Sequence, residues 1–222
     1  MLGQPSGLSD SGVPSGRRKP YVGPIQLFLT ANLLFFTIES LTGGKVFTTP
    51  LDSHLHTQPW SPLAASLVSH RLEGMRTTLD LYTPLFDHAV ALNARLLIIF
   101  MALSFAPVPS IVFHRSGHPL AAHALFSFHL YAFMLLLFCV ATAVPPIDKV
   151  FGGAGFASQG LDYALSITLL VVCTVYLYIA TGAVYGATGI SRALKALTLT
   201  VGVASIVLGY RFVLLLITLY ST

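Results

Sequence analysis

Two histidines, His123 and His129, stand six residues apart in the apolar run from Pro119 to Val144, around the aromatic pair Phe126 and Phe128. An imidazole there can relay a proton, ligate a metal or hold a haem iron. An ionisable group inside a bilayer is costly enough to point toward a site by default. Helix geometry narrows the chemistry. Six residues at 3.6 per turn leave the two side chains about 120° apart and ~9 Å apart along the axis, too far to share one metal ion. A haem held between helices needs histidines on facing helices, and the last two apolar runs contain none. His129, roughly 15 Å beyond Pro119, falls near mid-bilayer, with His123 nearer one surface. Two readings follow: a neutral ring hydrogen-bonded to a neighbour, with Asn32 at comparable depth, expected rather of His123 near the interface, and a proton-relay or ligand group, for which His129 is the better candidate.

Arg211 is the second intramembrane exception. Counted from Ala196 it lies roughly 22 Å into the final apolar run, where it needs an anion, a carbonyl cage or a water-filled cavity. Glu39, Arg95 and Asp162 fall on the same side, so an outer cluster of Glu39, Arg95, Asp162 and Arg211 is expected. It is either an ion-pair network joining helices or a pocket for a substrate or lipid headgroup. His54, His56, His70, Asp80, Asp87 and His88 are of metal-ligating types, but an HxH without a defined third ligand reads as a solvated loop, and no metal is expected. There is no GxSxG, HExxH, Walker loop or dinucleotide fingerprint, so no catalytic residue and no cofactor is assigned.

The elements that hold these residues follow from hydropathy. The chain has 222 residues, 55% apolar and only 9% charged, too few charges to cover a soluble globule of this size. Five apolar runs, at about 23–41, 92–113, 119–144, 161–185 and 192–220, are each near the ~20 residues a spanning helix needs. None alternates with the two-residue period of a barrel strand. The expectation is an all-α polytopic membrane bundle of about five transmembrane helices in a single membrane domain, 17–222, after a disordered Gly/Ser/Pro-rich tail, 1–16.

The connection 42–91 is the longest polar segment. It begins with a loop-like run from Thr49 to His56. From Ser61-Pro62, Leu63, Leu67, Val68, Leu72 and Met75 recur at helical spacing and predict an amphipathic helix outside the cytoplasm. A second break is expected at Tyr82-Thr83-Pro84. Gly182 and Gly186 form a GxxxG, read as a helix-packing contact. Cys139 and Cys173, both in apolar runs, read as packing residues.

The formal charge of +4 lacks the clustered basic patch that nucleic-acid binding needs. The basic residues instead set orientation. Arg17, Arg18, Lys19, Arg115, Arg192 and Lys195 share one side if the amino terminus is cytoplasmic, which puts the carboxyl terminus outside.

Two stretches carry a family likeness. Gly16-Arg17-Arg18-Lys19-Pro20-Tyr21-Val22-Gly23-Pro24 before a Leu/Phe-rich span resembles the basic element at the first membrane helix of the bacterial membrane family called domain of unknown function 3667. The segment His123-Ala-Leu-Phe126-Ser-Phe-His129-Leu-Tyr131-Ala-Phe133 is similar to that family's H-x-x-F-x-x-H-x-H-x-F pattern. Tyr131 stands where a third histidine is usual, and the family's frequent amino-terminal zinc ribbon is absent. The resemblance implies an integral protein of the bacterial inner membrane and supplies no reaction.

Three functions follow as expectations. The first is a non-enzymatic accessory, assembly or scaffold component, with membrane lipids, another membrane protein or a second copy as partner. The second is a small transporter or proton conductor using His129 and Arg211. The third is a lipid-acting enzyme with Asp87 or His88 as general base.

Overall fold

The computed structural model describes residues 23–155 and 158–222. The regular structure among them is helical and includes no strand: α1 (Pro24–Thr42), α2 (Leu51–His56), α3 (Ser61–Met75), α4 (Leu79–Phe105), α5 (Pro107–Val112), a 3-10 turn (His114–Ser116), α6 (Leu120–Val150), α7 (Gln159–Tyr185) and α8 (Gly189–Ser221). Five segments are long and apolar enough to cross a membrane: α1, α4 continued into α5, α6, α7 and α8. The protein is therefore an all-α membrane bundle. The tail 1–16 and the anchors Arg17, Arg18 and Lys19 lie outside the described residues.

Local chemistry sets the helix ends. Pro24 opens α1 with its fixed φ, and Gly43 closes it at φ 72°, a left-handed position that costs glycine nothing. Two expected boundaries are corrected. The run at Leu51–His56 is not a loop but the short helix α2, and α4 passes through Pro84 without breaking. Pro84 sits in the second turn, where its missing N–H deprives only the carbonyl of Asp80, an exposed residue at the water-facing helix start. α6 likewise continues through Pro145 and Pro146, so the carbonyls of Ala141 and Thr142 have no helical N–H four residues on.

α1 packs along α6, α6 meets α4, and α8 lies between α4 and α7. One end of the bundle carries the 3-10 turn and the start of α8; the other carries α2, α3 and the carboxyl terminus. At this second end the segment after α1 dips back into the bundle. Phe47 is 1% exposed and stands edge-on to Phe35, Phe138 and Tyr210, with ring centroids 5.3 to 5.6 Å apart. α3 begins at Ser61 as its pattern predicts and buries Ala64 and Val68, while Leu63 and Met75 stay exposed.

Candidate functional site

The Phe47 plug is held by two charged side chains acting on one peptide segment. Glu39, 3% exposed near the end of α1, accepts the Val46 N–H at 2.7 Å and the Phe47 N–H at 3.2 Å through Oε1. Arg211 of α8 donates from Nη2 to the Val46 carbonyl at 3.2 Å. Buried backbone groups must be paired, and here the two charges pair them. Among the described residues, ion pairs within 4.0 Å are confined to His56 and Asp52, so Glu39 and Arg211 do not form one.

Beside Arg211 lies a groove of about 680 Å³ between α6 and α7, roofed by the segment from Gly43 to Gln58. Its lining changes character along its length. Phe138, Leu165 and Leu169 line the part deeper along α6 and α7, while Lys45, Thr49, Ser53, Gln58 and Asp162 line the part nearer the bundle end, with Arg211 at its side. Arg211 Nε is buried with no partner, and so is the hydroxyl of Thr49, a residue 4% exposed. Of the expected outer cluster, Asp162 and Arg211 thus share a groove without pairing.

His54 adds a third buried polar atom without a partner. The residue is fully buried on α2, and its Nδ1 accepts the Trp60 indole N–H at 3.3 Å, which leaves the proton of a neutral ring on Nε2. Nε2 has no partner. Burial and the nearby Arg211 guanidinium push its pKa down from 6.5 to about 4. His56 points elsewhere, bonding Asp52, so the HxH does not converge. Asp87 accepts the Leu51 N–H at 2.9 Å and thereby opens α2, whereas His88 is exposed. Among the described residues no three His, Cys, Asp or Glu side chains gather around a point that could hold a metal.

Arg95 does not join Arg211 but lines a different groove. The residues that precede them are joined directly, with the Tyr210 hydroxyl donating to the Ala94 carbonyl at 3.0 Å. Arg95 is exposed, stands 5.8 Å from the centre of the Phe36 ring and lines a second groove of about 410 Å³ with Asn32 and Phe36. Asn32 is 9% exposed, lines this groove, and its Oδ1 has no partner, so the expected bond to a histidine of the third span is not made.

The two membrane histidines separate in role. His123 is 2% exposed, and its Nδ1 shares a 2.7 Å hydrogen bond with the Tyr185 hydroxyl of α7, the two rings being nearly parallel at 14°. Tyr185 in turn stacks on Phe113 with centroids 4.0 Å apart, and Lys195 Nζ lies 4.7 Å above Phe113. His129 is exposed on the bundle surface. Sequence periodicity separated these histidines by angle but gave no means of telling which faced protein.

At the same end, Arg115 is exposed and Arg192 covers the Tyr178 ring, donating to the Tyr178 and Ile179 carbonyls at 2.6 and 3.3 Å. Gly182 makes room for that guanidinium, which a Cβ would overlap, and Gly186 caps α7 at φ 62°. The GxxxG therefore serves a contact between α7 and α8, through the docked Arg192 side chain, and the end of α7. Comparison with protein-family models, curated proteins and solved structures finds no match to this chain.

Proposed function

We propose that this chain is a non-enzymatic integral membrane protein that binds lipid as an accessory or assembly component of a bacterial inner membrane. The observation that carries the reading is the groove between α6 and α7, which runs from Phe138, Leu165 and Leu169 to the charged side chains Lys45, Asp162 and Arg211, the polarity order of a lipid, with room for a headgroup and part of an acyl chain. Arg115, Arg192 and Lys195 at one end support a cytoplasmic amino terminus and a carboxyl terminus outside, which sets the groove mouth at the outer leaflet. The proposed kinship with domain of unknown function 3667 rests on the Gly16–Pro24 element, which lies outside the described residues except at its last two positions, and on the His123–Phe133 pattern. The alternative of a small transporter needs a hydrated path from His129 to Arg211, and His129 lies on the outer surface of the bundle.

The reading is tested by purifying the full chain in a mild non-ionic detergent and weighing the intact particle by native mass spectrometry. Retained phospholipid or a stoichiometric partner is expected. A bare monomer, together with an unchanged membrane-complex profile on deletion, would overturn it.

A further inference from the structure

The geometry points to the phosphate of an anionic phospholipid as the ligand of the α6–α7 groove, with Arg211 and Thr49 as its recognition groups. The inference rests on the lipid-binding reading and adds the chemistry of the headgroup.

Three observations carry it. First, donors are left over. Arg211 spends Nη2 on the Val46 carbonyl and keeps Nε buried without an acceptor, and Thr49 keeps its hydroxyl in the same condition. Both residues line the groove. A buried donor without a partner is costly, more so when charged, so leftover donors on one groove wall mark the place of an acceptor. Second, the charge is unbalanced. Lys45 and Arg211 line the groove against the single carboxylate of Asp162, which comes within 4.0 Å of neither. The carboxylate of Glu39 is engaged by the Val46 and Phe47 N–H groups. Third, the depth fits. Sixteen residues separate Lys195 from Arg211 on α8, about 24 Å at 1.5 Å per residue. Measured from Lys195, Arg211 thus stands a few Å inside the edge of the ~30 Å hydrocarbon layer, just below the level of the lipid phosphates. The apolar residues Phe138, Leu165 and Leu169 continue from that level toward mid-membrane, along the path an acyl chain would take.

A guanidinium presents two N–H groups in a plane to two phosphate oxygens, and such charge-assisted bonds are roughly twice as strong as neutral ones. Among the described residues the Val46 carbonyl is the one acceptor Arg211 engages, so its Nε and its remaining N–H groups are left for a ligand. Lys45, exposed at the mouth, adds attraction at the surface.

The test uses the full chain in non-ionic detergent, titrated with phosphatidylglycerol and phosphatidylcholine of identical acyl chains and read by native mass spectrometry. Both lipids carry the phosphate, but the choline cation of phosphatidylcholine would face Lys45 and Arg211, so phosphatidylglycerol is expected to bind about tenfold more tightly. Arg211→Gln should lose about ten- to a hundredfold of that affinity and Thr49→Val several-fold, whereas Arg95→Gln in the other groove should leave it unchanged. If Arg211→Gln does not fold, the wild-type preference and Thr49→Val decide. Equal retention of both lipids, unaltered by Thr49→Val, overturns the headgroup assignment and leaves lipid binding standing. Retention of no lipid overturns both. Displacement of phosphatidylglycerol by millimolar inorganic phosphate, with phosphate itself bound in an Arg211-dependent way, overturns the lipid as the phosphate's source.

Discussion

Glu39 and Arg211 hold the same residue from opposite sides and do not pair with each other. The carboxylate takes the Phe47 N–H at 3.2 Å as well as the Val46 N–H, and the guanidinium reaches the Val46 carbonyl at 3.2 Å, so the Val46–Phe47 peptide unit stands where an ion-pair network was one expectation. The attraction between the two charges is conveyed through a polarised peptide, and the plug residue Phe47 is fixed as a by-product. Glu39→Gln retains an acceptor oxygen and should cost under ~1 kcal/mol, whereas Glu39→Leu strands two buried N–H groups and should cost about 2–4 kcal/mol. Equilibrium unfolding in mixed micelles checks this. In a double-mutant cycle with Arg211→Met, a coupling well under that of a direct buried pair is expected.

His54 makes stability depend on pH. Its folded pKa of about 4 lies below its ordinary 6.5, so the unfolded chain takes up a proton first as pH falls. The contribution is complete above pH 6.5 and is lost progressively down to about pH 4. Arg211 from α8, with Trp60 and Phe86 packed on the ring, opposes protonation inside the fold. His54→Phe, which removes the titrating group, should flatten the melting temperature between pH 7 and 4.5.

The membrane histidines should respond oppositely to substitution. His123→Phe breaks the bond to Tyr185 and leaves a buried hydroxyl unpaired, with an expected cost of about 1–3 kcal/mol. His129→Leu exchanges an outward-facing imidazole for an apolar side chain, and stability should hold or rise. Loss of a proton or solute flux in His129→Leu proteoliposomes would instead favour transport.

Gly182→Ala should displace Arg192 from the carbonyls of Tyr178 and Ile179 and fray the end of α7. Arg192→Met should produce the same fraying without crowding. Faster amide exchange confined to residues 178–186 in both variants is the expected signature.

The five spans and the start of α3 are legible in the sequence, because hydropathy and the Ser61-Pro62 start signal are local properties. Which face of each span turns inward is not. Lipid is as apolar as a protein core, so the contrast that sorts inside from outside in a soluble helix is missing, and His123 and His129 look alike in the chain. Arg211 announces its need for a partner. That the partner is the main-chain carbonyl of Val46 leaves no trace in residue type. The helix at Leu51–His56 is equally silent, since it depends on Asp87, thirty-six residues further along, to receive its first N–H.

Exposed Val213, Ile217 and Tyr220 continue the apolar surface of α8 beyond Arg211. The guanidinium is thus recessed below the rim of the bundle, and an anion that reaches it must leave the plane of its neighbours and descend into the groove.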